Sequence, residues 1–163
     1  MMHHKYMLPL LFSWSLFLGA GLTATPGQAA SKIILSKGQT VYVPIYSHIY
    51  IGDRERPFLL AATLSVRNTD PDHPITILSV DYHDSDGKLI KRYLKEPRQL
   101  NSMGSMRYVV KESDKSGGSG AKFIVRWEAE SEVNDPIIEG VMIGTKAQQG
   151  ISFISRGRAI RVR

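Results

Sequence analysis

Apolar and polar side chains alternate at every second residue through most of this chain. In QTVYVPIYSHIYIG the odd positions Val41, Val43, Ile45, Ile49 and Ile51 are aliphatic, whereas Tyr42, Pro44, Tyr46, His48 and Tyr50 are aromatic or polar. Successive side chains of a strand point to opposite faces, so this spacing predicts one long strand with a buried aliphatic side. Pro44 has no N–H to give to a ladder and places that strand at a sheet edge or a bend. FLLAATLSVRN predicts a second strand with Phe58, Leu60, Ala62, Leu64 and Val66 inward. ITILSVDY predicts a third, with Leu78, Val80 and Tyr82 on one face; DSDG then supplies hairpin chemistry, since Gly87 accepts a positive φ, and KLIKRYL returns. MRYVVKE, AKFIVRWEAE with Phe123, Val125 and Trp127 on one side, IIEGVMIGT and ISFISRGRAIRVR complete the series. No window carries a helical i, i+3, i+4, i+7 stripe. The expectation is an all-β fold, an antiparallel immunoglobulin-like β-sandwich, with an open β-barrel as the alternative. Trp127 is the expected core anchor, its burial removing ~200 Å² from water for about 5 kcal/mol as an upper bound.

The first residues interrupt this picture. Lys5, an apolar run from Met7 to Leu22, and Gly27-Gln28-Ala29 have the layout of a secretory signal peptide cleaved after Ala29. Pro9, Gly19 and Gly21 break the run short of the roughly 20 apolar residues that span a bilayer, so export with removal is expected, leaving no transmembrane segment. Residues 30–163 then form one β-sandwich domain. The chain has no cysteine, which excludes disulfides, thiolate metal sites and thiol catalysis and leaves burial and sheet hydrogen bonds to hold the fold. Loss of Lys5 with the leader leaves 20 basic and 15 acidic residues, a net charge of +5. That surplus reads mainly as a solvated face, and export argues against nucleic acid as the target.

Chemical motifs are incomplete wherever they begin. The loop ESDKSGGSGAKFIVRW lacks the Gly-Lys-Ser/Thr of a phosphate cradle and the Gly-x-Ser-x-Gly of a hydrolase elbow, and leads into a strand instead of a helix, which makes it a link between strands. DYHDSDG places Asp84 and Asp86 suitably around Gly87 for calcium, but Tyr82 and Tyr93 stand where carboxylates belong. A copper site would need His48 or His83 to meet Met103 or Met106 in space. A catalytic cluster would need His48, Asp114 and Ser116 or Ser119 in one cleft; adjacent Ser47 and His48 point to opposite faces of a strand and cannot pair directly. The expectation is therefore no catalytic residue, no metal site and no cofactor. The leading candidate binding surface is Tyr42, Tyr46, His48 and Tyr50 with Asp114 and Ser116, because aromatic rings with polar tips on a strand suit an envelope protein or a glycan. Arg156, Arg158, Arg161 and Arg163 could form an anion-binding edge, or discourage edge-to-edge sheet pairing.

The segments VYVPIYSHIYIGD, SVRNTDPDHPITILSVDYHDSDGKLIKRYL, ESDKSGGSGAKFIVRW and PIIEGVMIGTKAQQGISFISRGRAI resemble, in order, a group of small exported bacterial proteins, the domain-of-unknown-function family designated three-one-two-four, from Val41 to Ile160. The resemblance implies an exported bacterial domain and carries over no catalytic residue. Tyr46–Tyr50, Asn68–Asp70, Glu112–Asp114 with the glycine loop, and Gly150–Ser152 are its recurring signatures. RNTDPDHPITILSVDYHDSDGKLI is also similar to the strand and turn pattern of small exported immunoglobulin-like sandwiches, an architectural likeness alone. Together these readings predict a non-enzymatic binding domain of the bacterial envelope, with periplasmic copper handling as the alternative.

Overall fold

Alternation becomes twelve strands in the computed structural model, which describes residues 34–146 and 148–163. They are β1 Leu35–Pro44, β2 His48–Ile51, β3 Arg56–Leu59, β4 Ala61–Arg67, β5 Ile75–His83, β6 Leu89–Arg92, β7 Arg98–Leu100, β8 Ser105–Val110, β9 Lys122–Asn134, β10 Ile137–Lys146, β11 Gln149–Arg156 and β12 Arg158–Val162. All the described strand pairs are antiparallel. One sheet runs β12-β1-β9-β5-β6 with β7 also on β5, a second runs β11-β10-β4-β8, and β2 and β3 form a hairpin. The sheets do not close into a barrel; the fold is a β-sandwich. The predicted leader, residues 1–29, lies outside the described residues.

The inward faces of the two sheets make one core. Val41, Val43, Ile77, Val80, Tyr82, Phe123, Val125 and Trp127 of the larger sheet meet Ala62, Leu64, Val66, Ile138 and Met142 of the smaller, all buried. The parity predicted for Phe58 to Val66 and for Phe123, Val125 and Trp127 holds throughout. Two parities fail. In β5 the buried apolar residues are Ile75, Ile77, Val80 and Tyr82 while Leu78 is half-buried, because a β-bulge between Ile77 and Ser79 sets an extra residue against β9. Past that point alternation resumes in the opposite phase.

The long strand expected from Val41 to Ile51 is also two strands. β1 ends at Pro44, and the chain turns through Tyr46-Ser47, where Ser47 N–H donates to Gly118 O at 3.1 Å and Leu60 N–H donates to Ser47 O at 3.0 Å. Ile45 stays in the core, but Ile49 is half-buried and Ile51 exposed. Although β1 lies inside its sheet, β12 covers it from Gln39 to Tyr42 alone, so Pro44 sits where one side of the strand is free of a ladder. The edge expectation holds for the residue and not for the strand.

Chain crossings between the sheets are fixed by polar groups. Where β4 passes to β5, buried Asn68 donates Nδ2 to His73 O at 2.8 Å and Asn101 O at 3.0 Å. Asp70 accepts from the backbone N–H of Asn134 and Asp72, each at 3.0 Å, and of His73 at 2.9 Å, with His73 Nδ1 at 3.1 Å. Those N–H groups, Asn134 first and Asp72 next, hold its carboxyl well below the usual carboxylate range, while burial opposes them. A lowered native pKa adds stability in full above the unfolded value of about 4 and loses it as pH falls through the native one. Thermal midpoints of the native chain should therefore fall as pH drops below about 4. Asp70→Asn should melt lower at neutral pH and show a shallower acid limb, a comparison that calorimetry across pH 2–7 checks.

Candidate functional site

The glycine loop between β8 and β9 is pinned at several points. Gly117 O accepts from Ser85 N at 3.0 Å and Ser85 Oγ at 3.2 Å, Gly120 N donates to Ser85 Oγ at 3.0 Å, and Ser47 Oγ donates to Gly118 O at 2.9 Å. Lys122 Nζ donates to Ser85 O at 3.1 Å and to Asp84 O. The Asp-rich hairpin and the glycine loop thus form one clasp. Its carboxylates serve turns: Asp84 Oδ1 accepts from Asp86 N and Lys88 N, and Gly87 sits at φ +88° as predicted.

The predicted aromatic surface divides. Tyr42 lies on β1 opposite Ile124 and Arg158. Tyr46, at the turn, packs its ring edge-on against Phe153 of β11 with centroids 5.6 Å apart. His48 and Tyr50 share a face of β2, their rings 5.1 Å apart and perpendicular, with Nε2 at 3.2 Å from the Tyr50 hydroxyl. Because a turn separates Tyr42 from His48, the four side chains do not form a single stripe. Asp114 accepts from Ser116 N at 3.0 Å and Ser116 Oγ at 2.5 Å, a local turn cap. The contact of Ser47 with Gly118 sets the start of β2 beside the glycine loop, yet among the described residues no hydrogen bond joins His48 to Asp114 or Ser116.

Beneath this clasp lies the Tyr82 hydroxyl, buried and without a hydrogen-bond partner of good geometry, close to Ser47, whose Oγ donates to Gly118 O. Burial, reinforced by the charge of Asp114, pushes the Tyr82 phenol up to about 12, so it stays neutral. The copper ligands do not converge: Met103 and Met106 line a groove whose walls include neither His48 nor His83, and His83 Nδ1 lies 3.0 Å from Gly87 O. Among the described residues, no group of three or more His, Asp or Glu side chains is arranged to hold a metal ion.

A different surface stands out on the outer face of the smaller sheet. The registers Ile154↔Val141, Val141↔Thr63 and Thr63↔Val109 align these side chains in one row across all four strands. Ile143 flanks that row, and Val109, Ile137, Ile143 and Ile154 are 47–59% exposed, Ile137 lying beyond the next row, beside Arg67. The adjoining row is Arg156, Glu139, Ser65 and Arg107. Where β4 and β8 run side by side the face dips into a groove of about 670 Å³, bordered by Met103, Met106, Arg67, Arg107, Ile137 and Val141 among others, with no acidic side chain in its lining. The described positions of this face hold three arginines and no lysine.

Sequence reasoning missed this face because it named the segments that became β8, β10 and β11 as strands without assigning their side chains to faces. Val109, Val141, Ile143 and Ile154 are apolar at solvent-side positions, a local signal that their strands carry aliphatic residues on both faces. Their alignment needs the pairing of Thr63 with Val141, 78 positions away, and it brings together residues as far apart as Thr63 and Ile154.

Among the described residues, no helix is long and apolar enough to cross a membrane. No curated protein matches the chain. The crystal structure of Thermotoga maritima 1070 is similar to it, with 10% sequence identity and a TM-score of 0.45, over 76% of this chain and 93% of that one. A family model matches residues 38–160, most of the chain and all of the sandwich core, and by that match the chain belongs to the protein family of unknown function DUF3124.

Proposed function

We propose that this chain is an exported, non-enzymatic binding domain of the bacterial envelope, and that it docks another envelope protein on the outer face of its smaller sheet. The row Ile154, Val141, Thr63 and Val109, aliphatic but for Thr63 and exposed at both ends, carries this reading together with exposed Ile143. Contiguous apolar surface of this kind marks interaction sites. Protein interfaces are enriched in arginine and methionine and depleted of lysine, the composition found here. Export is supported by the leader-like residues 1–29, and the absence of catalysis by the separate, local partners of His48 and Asp114.

The test is position-specific photo-cross-linking in the envelope, with p-benzoylphenylalanine placed singly at Val109, Ile143 or Ile154 of the smaller sheet, or at Leu89 or Tyr50 elsewhere. The same adduct is expected from the first three positions and none from the last two. Equal capture from all five, or capture from Tyr50 alone, would move the docking surface away from this sheet. In the same preparation the mature chain is expected to begin at Ala30.

A further inference from the structure

The outer face carries Arg67, Arg107 and Arg156 against the single acid Glu139, and among the described residues no carboxylate lies within 4.0 Å of any of the three guanidiniums. Stacking a second copy on this face would bring like charges together, which disfavours self-association. Ser65 pairs with Arg107 and Arg67 with Ser105, so Arg67 and Arg107 are diagonal neighbours on adjacent strands, roughly 7–8 Å apart at the backbone. Arg67 Nε donates to Ser65 Oγ at 3.1 Å, which steadies the side chain and leaves its terminal nitrogens to other acceptors. The groove beside them has the size of a ligand site, and its walls include Met103, Ile137 and Val141.

Met103 adds an independent sign. It holds φ +56°, a left-handed backbone that suits asparagine or glycine better, with its N–H on Asp70 O at 3.1 Å, and its side chain is 69% exposed at the groove. The turn closed by Gly104 N–H on Asn101 O fixes this backbone and holds the exposed thioether at the rim of the groove.

Resting on the docking reading above, we infer that the partner protein inserts a carboxylate side chain, flanked by aliphatic neighbours in an extended segment, between Arg67 and Arg107. Guanidinium forks bind carboxylates in bidentate fashion, and Met103, Ile137 and Val141 cover the flanking aliphatic groups.

The experiment is an NMR titration of the folded chain with the capped peptide Val-Glu-Val-Glu-Val, its Val-Gln-Val-Gln-Val counterpart, and vesicles containing phosphatidylglycerol. The acidic peptide is expected to bind about tenfold more tightly than the glutamine one, the lower end of what a charge-assisted bond supplies, and to shift the Arg67 and Arg107 Nε–H signals. Arg67→Gln with Arg107→Gln should abolish that preference. Met103→Asn should weaken binding while leaving the thermal midpoint unchanged or higher, an outcome that a purely structural role for Met103 would not give. Equal affinity for the two peptides, or a preference that survives the double substitution, would overturn the carboxylate site while cross-linking from Val109 and Ile154 kept the docking face. Saturable shifts of Arg67 and Arg107 with vesicles and none with peptide would also overturn it, assigning the groove to a membrane surface. If neither peptide binds and no adduct forms, both readings fall.

Discussion

Replacing Trp127 by alanine is expected to cost about 3–5 kcal/mol, the range for deleting a buried aromatic side chain, and to lower the thermal midpoint by roughly 10–20 °C. Trp127 is 1% exposed, and on β9 it stands between Gln39 of β1 and Ile77 of β5, so its cavity would open where three strands of the larger sheet meet the opposing layer. Close-packed surroundings relax only partly around such a void. Phenylalanine at the same position should behave differently. Trp127 Nε1 is buried without a partner, a donor whose lost hydration nothing in the fold compensates. Trp127→Phe removes that donor along with part of the ring, so the two effects oppose each other and the net loss should stay under about 2 kcal/mol. Urea titrations of the two variants decide the matter: equal losses would show that the indole N–H is satisfied and that the contacts around it are misplaced.

Gly117→Ala should be strongly damaging for a loop change, at about 1–3 kcal/mol, although it adds only a methyl group. A Cβ at Gly117 would overlap the Tyr82 hydroxyl and come within 2.7 Å of both Tyr82 Cζ and Ala121 Cβ. The loop cannot move aside freely, because Ser85 and Ser47 hold it and Lys122 Nζ donates to Gly120 O at 3.4 Å. Tyr82→Phe alone should be nearly neutral, since the hydroxyl it deletes has no partner to lose. The double variant should recover part of the glycine loss, leaving a coupling of about 1 kcal/mol between the two sites. Strict additivity would mean that the methyl group is accommodated by displacing the loop and that the close approach to Tyr82 is unimportant.

These two sites also show how far the sequence can be read. Trp127 belongs to a strand whose alternation is uninterrupted from Phe123, so its burial follows from its own neighbours. The sandwich follows in the same way from repeated two-residue periods with turns between them. Alternation does not reveal where its own phase slips. The β5 bulge depends on pairing with β9 across a separation of about 50 residues, and the break of the first predicted strand depends on Ser47 meeting Gly118, 71 positions away. The same limit governed the candidate surface. Tyr42, Tyr46 and Tyr50 formed a stripe only while their segment was taken as continuous, and the turn at Ser47 dissolves it. Asn68-Thr69-Asp70 stood out as a signature of the family resemblance, and its hydrogen bonds run to Asn101 and Asn134, which the chain brings from elsewhere. The row of Ile154, Val141, Thr63 and Val109 arises from four strands in register, and no single segment contains it.

The most direct test of the docking face is to place aspartates in that row. Val109 and Ile154 are 47% and 59% exposed, so Val109→Asp with Ile154→Asp should leave the fold within about 1 kcal/mol of the parent in urea titration. Size-exclusion chromatography of gently solubilised envelope, followed by detection of this chain, should find the parent in an assembly larger than its own mass and the double variant at the monomer position. A folded double variant that still co-elutes with the parent's assembly would contradict the account.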